Sequence, residues 1–213
     1  MGRKRYFPTD QYPYHVTARA WNKEWFPVPI EQAWKIFSHY LYLITLTYSV
    51  RIHSFVLMNN HFHMLITTPE ANLAEAMNYF MREVSKAMNK ESGRVNQVFG
   101  GPHHRTVIKS RLYYQHAYKY VYRNPIEAGL CQKVHEYPYS TLRGFLGLQK
   151  LDFPAFDNND LITNPKAQLD WLNAPYPNPD FLEEIRGALK HPEFEFQADR
   201  NTQRYSELKF QLH

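Results

Sequence analysis

The chain has one cysteine, Cys131, so it has no partner for a disulfide and no cysteine cluster for a metal. It also lacks a long hydrophobic run. The most apolar stretch, around 41–56, is broken by Arg51 and His53 and is too polar for a membrane span. Behind the basic opening MGRKRYFPTD there is no apolar segment, so no secretory leader is expected. These absences predict a reducing, cytoplasmic setting with no membrane partner. No internal repeat and no low-complexity tract is visible.

The sequence does contain apolar and aromatic residues in quantity. Of 213 residues, 44% are hydrophobic and 16% aromatic, which excludes a disordered or fibrous chain. The length suits one domain with a substantial addition, or two small ones. The formal charge of +5 is unevenly placed. Residues 1–150 hold 19 Lys/Arg against 9 Asp/Glu, a net of +10, and residues 151–213 hold 6 against 11, a net of −5. A body at +10 suits a polyanion partner, although a solvated basic surface explains the charge equally well. The composition shift divides the chain into a body, 1–150, and an acidic, Pro-rich extension, 151–213.

Within the body, 12–21 (YPYHVTARAW) reads as a strand from its Tyr, Val and Thr content and alternation. Pro27 and Pro29 open a helix with Trp34, Phe37, Leu41 and Ile44 at helical spacing. Residues 51–58 and 61–68 read as a hairpin around Asn59-Asn60. Asn72 caps a helix to about Glu91, 105–109 is a short strand, and Ser110 caps a helix from Arg111 to about Arg123. Strand, helix, strand, strand, helix, strand, helix predicts an α+β, ferredoxin-like antiparallel sheet with helices packed on one face. In the extension, Asn164-Pro165 and Asn178-Pro179 open short helices at about 165–174 and 179–190.

Two features carry chemistry. In His61-Phe62-His63, strand alternation sends both imidazoles to one face and Phe62 to the other. Paired imidazoles suit a divalent metal. Among 11 histidines such spacing also arises by chance, and on spacing alone that simpler reading is favoured. The second feature is YYQHAYKYVYRNPIEAGL, 113–130. Tyr120 and Asn124 are four apart and share a helix face, while Pro125 biases Asn124 toward capping a short turn that Gly129 ends. For most of the tyrosines here, packing is explanation enough.

NNHFHML followed, after a helix and a loop, by KYVYRNPIEAGL resembles the single-tyrosine transposases of the HUH class. The likeness is greatest to REP-associated tyrosine transposases, a branch also described as transposase IS200-like. HVTARAW resembles the first strand of that family, NQVFGG the loop before its last strand, and HEYPYSTLRGFLG the segment after the NP-x-x-AGL motif. The resemblance covers about 5–148, and its specificity lies in the order and spacing of the motifs. At GGPHHRTVI the chain departs from relatives, because His103-His104 replace a basic-aromatic pair.

The resemblance implies that His61, His63 and Asn124 hold a divalent metal, Mg²⁺ or Mn²⁺, and that Tyr120 is the nucleophile. A tyrosine hydroxyl, with an ordinary pKa of about 10, needs such activation at neutral pH. The implied function is hairpin- and sequence-specific cleavage and joining of single-stranded DNA through a 5′-phosphotyrosine. The implied partner is single-stranded or hairpin DNA such as palindromic repeats. Candidate DNA contacts are Arg3, Lys4 and Arg5 in an N-terminal basic arm, then Arg105, Lys109, Arg111, Lys119 and Arg123 around the last strand and helix. The class allows a homodimer, with the tyrosine helix serving its own subunit or its neighbour's. Two rivals stand beside this reading: a metal-dependent nuclease without a covalent intermediate, and a domesticated hairpin-binding protein without cleavage. Nucleotide hydrolases with three alternating histidines are set aside, since the next alternate position is Leu65.

Overall fold

The computed structural model describes residues 8–157, 164–196, 198 and 205–213. Strands β1 (Tyr14–Arg19), β2 (Arg51–Leu57), β3 (His61–Thr67) and β4 (His104–Val107) form one sheet in the order β2-β3-β1-β4. Every neighbouring pair is antiparallel. With helices α1 (Ile30–Thr47) and α2 (Leu73–Ser92) as the two crossovers, this is the expected α+β, ferredoxin-like arrangement.

The period of two sorts the sheet into two chemically distinct faces. Tyr14, Val16, Ala18, Phe62, Met64 and Ile66 point to one side. There they meet Phe37 and Leu41 of α1 and Met77, Phe80 and Val84 of α2, all buried. Each such apolar side chain contributes about 2 kcal/mol by leaving water. Between Ile52 and Ser54 a β-bulge inserts His53, after which Phe55 and Leu57 rejoin the same core.

The expected one-sided packing describes α1 and α2. The opposite face is also covered, by α3 (Arg111–Glu127) and the elements that follow it. Ser110 caps α3 by accepting from the Tyr113 N–H at 3.3 Å. The helix does not stop near Arg123 but continues through Pro125, with Ala128 N–H bonding back to Asn124 O at 3.0 Å. Asn124 is therefore helical and caps no separate turn. Its Nδ2 instead donates to Tyr120 O at 2.8 Å.

Residues of α4 (Thr141–Phe145), α5 (Pro165–Asn173) and α6 (Asp180–Ala188) complete this second core. Leu172, Phe181, Ile185, Phe194, Phe196 and Leu208 pack with Ala117, Tyr118 and Val121 of α3. The extension also covers the open edge of β4. Val107 N–H donates to Pro192 O at 2.9 Å, and Phe194 N–H donates to Val107 O at 2.8 Å. Among the described residues, no helix is long and apolar enough to cross a membrane.

Candidate active site

The antiparallel register sets His15, Thr17 and Arg19 of β1 opposite Leu65, His63 and His61 of β3. These side chains occupy the sheet face away from α1 and α2. Over them lies α3, and its Tyr120 ring stands 5.4 Å from the His63 ring and 6.2 Å from that of His15. The His61 and His63 rings are 5.0 Å apart, centroid to centroid. The cleft enclosing them has a volume of about 360 Å³ and also takes in Asn124, His104, Arg186 and Lys190. The strand pair and the helix turn that were separate in sequence thus meet in one site.

Hydrogen bonds determine how the imidazoles are presented. His61 Nδ1 lies 2.7 Å from Asn60 Oδ1, an acceptor, so Nδ1 carries the proton and Nε2 keeps its lone pair. His63 Nδ1 is 2.9 Å from His15 Nε2, and donation by His63 frees its own Nε2 in the same way. Burial, then Arg19, lowers His61 to a pKa of about 4. His63 is held well below its ordinary value by burial and then by His15. Burial, then His104, lowers His15 to about 3. All three are neutral near pH 7.

These features suit the residues to a divalent metal. Among the described residues no group of three His, Cys, Asp or Glu could hold one. A metal here would take the two free Nε2 atoms, with the Asn124 side-chain oxygen as third donor, since that amide's nitrogen is committed to Tyr120 O. Such a donor set is neutral and leaves the ion's charge for an anionic ligand.

The Tyr120 hydroxyl is raised above its ordinary pKa, chiefly by burial. The Arg186 guanidinium, by charge and by hydrogen bond, the Asn124 amide and then Arg19 oppose that rise. Among the described residues, the one carboxylate lining the cleft, Glu127, is neutralised by Arg123 at 2.8 Å. The other charged groups lining the cleft are cations, Arg19, Lys190 and Arg186, the last paired with Glu183, which favours a polyanion.

The expected DNA contacts divide. Arg3, Lys4 and Arg5 lie outside the described residues. Arg111 is exposed at the start of α3. Lys109 is exposed and pairs with Glu193 at 2.7 Å. Arg105 is set opposite Val16 in the register, so it belongs to the α1/α2 face, while His104 enters the cleft.

Lys119 and Arg123 correct the expectation of surface contacts, because the extension buries both. Lys119 is fully buried, donates to His213 O at 2.8 Å and lies over the Trp171 and Tyr176 rings at 5.4 and 5.0 Å. Arg123 donates through Nη1 to the main-chain oxygens of Leu172, Asn173 and Ala174. Sequence reasoning missed His15, Arg19, Arg186 and Lys190. The alternation His15-x-Thr17-x-Arg19 was a usable signal for the first two, whereas nothing local marks the others.

A family model described as transposase IS200 like matches residues 10–106. The match covers the sheet and both histidines and ends before α3. Among solved structures, the chain is similar to that of a REP-associated tyrosine transposase bound to a REP hairpin. The TM-score is 0.57 at 19% identity, covering 75% of this chain and 94% of the other, a likeness of fold. No curated protein matches.

Proposed function

From the match of residues 10–106 to the transposase IS200-like family model, we propose that the chain cuts and rejoins single-stranded DNA beside a hairpin, using Tyr120 as nucleophile. The observation that carries this reading is the convergence of His61, His63 and Tyr120 in one cation-rich cleft. The family match alone does not reach Tyr120. The similar transposase is bound to a REP hairpin, which supports hairpin DNA as the partner here. The histidines and tyrosine meet within one chain, which supports action of the tyrosine helix in its own subunit.

In this reading Arg19 and Lys190 draw the phosphodiester into the cleft. The DNA must be unpaired there, because in-line attack needs a splayed backbone. Tyr120 Oη attacks phosphorus and forms the P–Oη bond as the P–O3′ bond breaks. The hydroxyl proton passes to water, and the departing 3′-oxygen takes up a proton. The product is a 5′-phosphotyrosine, which a second 3′-OH reverses without an external energy source. His61, His63 and Asn124 would hold Mg²⁺ or Mn²⁺, which supplies charge neutralisation at a non-bridging phosphate oxygen. Burial keeps both imidazoles neutral, the form a metal requires.

The test is Tyr120→Phe with a hairpin oligonucleotide carrying a single-stranded flank and Mn²⁺. The wild type should give a covalent band on a denaturing gel and the variant none. An adduct that persists in Tyr120→Phe removes Tyr120 as nucleophile. DNA binding without any cleavage by the wild type would favour a hairpin-binding role instead.

A further inference from the structure

Two tryptophans stand in solvent on the loop between β1 and α1. Trp21 is 56% exposed and Trp25 73%. Rings of this size are ordinarily buried over most of their area, so a pair of them in water calls for a reason. The loop is not loose. Ala20 N–H donates to Asn60 O at 2.7 Å, Trp21 N–H to Val98 O at 2.9 Å and Phe26 N–H to Asn59 O at 2.8 Å. Phe26 is buried against Phe37 and Phe99 and pins the loop to the core. Between the tryptophans, Asn22 and Lys23 turn the chain with φ of 51° and 59°, a left-handed conformation that is costly outside glycine. Asn60 Nδ2 holds that turn by donating to Lys23 O at 2.7 Å, while its Oδ1 meets His61 Nδ1. The fold thus fixes both rings in the open, on a loop tied to the histidine pair.

Both rings line a pocket of about 230 Å³ that also takes in Glu24, Pro27 and the exposed Arg94. A groove of about 650 Å³ joins this pocket to the cleft, sharing Ala20 with the one and Thr17, Arg19, His63 and His104 with the other. Lys23 and Gly101 also line the groove. A Cβ on Gly101 would meet nothing within 4 Å, so the fold itself does not require glycine there, and the bare backbone leaves room for a ligand.

We propose that Trp21 and Trp25 form a stacking site for an unpaired base of the DNA strand that leaves the cleft along this groove, with Lys23 and Arg94 meeting its phosphates. The inference rests on the reading of the cleft as a site for single-stranded DNA. An unpaired base has two exposed faces, and a rigid aromatic ring covers one with little loss of conformational freedom. Such stacking tolerates any base, because every base has a π-face. Lys23 and Arg94 outnumber the one carboxylate of the pocket, Glu24, and suit a polyanion. These cations, and the continuity with a cationic cleft, favour a nucleic-acid strand over a protein segment as the occupant.

The experiment uses the full chain as wild type, Trp21→Ala, Trp25→Ala and Trp25→Phe, without divalent metal, so that binding is read apart from cleavage. Affinities are measured by fluorescence anisotropy for a hairpin with a single-stranded flank, the same hairpin with an abasic flank, and the bare hairpin. Each alanine variant should weaken binding of the flanked hairpin about tenfold and leave the bare hairpin within about twofold, while Trp25→Phe keeps most of the affinity. The abasic flank should cost the wild type a similar factor and cost the alanine variants less. An unchanged affinity of both alanine variants for the flanked hairpin overturns the proposal, as does an equal loss on the bare hairpin. Altered oligomeric state in the variants with DNA affinity unchanged assigns the pair to a protein contact and also overturns it. No part of this measurement needs Tyr120. A wild type that forms no adduct yet shows the flank-dependent losses therefore refutes the cleavage reading and leaves the stacking site standing.

Discussion

Replacing Arg123 with methionine separates a structural staple from a DNA contact. The side chain is 7% exposed, and its Nη1 reaches the main-chain oxygens of Leu172, Asn173 and Ala174 at 3.2, 2.9 and 3.0 Å. These oxygens sit at the C-terminal end of α5, where helix carbonyls lack internal partners and the dipole favours a cation. Nε and Nη2 bind Glu127 at 3.1 and 2.8 Å. Methionine keeps much of the stem and removes every donor. A charge-assisted hydrogen bond contributes about 1.5–3 kcal/mol, and breaking a buried pair costs about 3–5 kcal/mol. These terms overlap, so the expected loss is about 3–4 kcal/mol, which lowers Tm by roughly 10 °C in a chain of this size. Equilibrium urea unfolding should show a lower midpoint. Hairpin affinity should keep its dependence on salt concentration. If instead stability falls by less than about 1 kcal/mol and the slope of log K against log salt falls by about one, Arg123 is a phosphate contact and the assignment is wrong.

Three further outcomes are expected. His61→Ala should abolish cleavage and Mn²⁺ binding, measured by calorimetry, while hairpin affinity by gel shift stays within about twofold; retained cleavage would remove the metal role. Burial lowers His15 to about 3 and His53 and His116 to about 4, so the unfolded chain binds more protons than the fold as pH drops below 6.5. Their contribution is therefore complete above pH 6.5 and lost on the way to about pH 4, at about 2 kcal/mol for each at pH 5. A flat unfolding free energy between pH 7 and 5 would contradict that burial. Gly144→Ala should destabilise by about 1–3 kcal/mol in thermal unfolding, because a Cβ there would overlap Leu151 Cγ and Cδ1. A variant as stable as the wild type would show that Leu151 moves aside freely.

The sheet and the paired histidines were legible because their information is local. A period of two sends His61 and His63 to one face and Phe62 to the core whatever surrounds them. Spacing by four likewise put Tyr120 and Asn124 on one face of α3, and the continuation of that helix through Pro125 strengthened the pairing. What the spacing did not show is that α3 has no wet side over 116–125. Residues 116–125 are buried all round, because the sheet lies under one face and the extension over the other. A helix buried on every side has no polar stripe to identify it. Lys119 and Arg123 consequently read as surface cations, although each is satisfied by groups from beyond residue 170.

The charge division followed the same logic. Counting residues divides the charge between a basic 1–150 and an acidic 151–213, but it assigned the latter no chemistry. Net charge is a sum over a segment, whereas an active site depends on single atoms. Arg186 belongs to the acidic segment and still lines the cleft that holds Tyr120. By itself, the sequence determined the succession of strands and helices along the chain, the facing of the histidine pair and the helical spacing of Tyr120 and Asn124, since each follows from backbone periodicity. Only the tertiary structure decided which cations reach the cleft and which are buried. That choice depends on how the extension packs against α3 and β4, a contact between segments distant in the chain that no local spacing encodes.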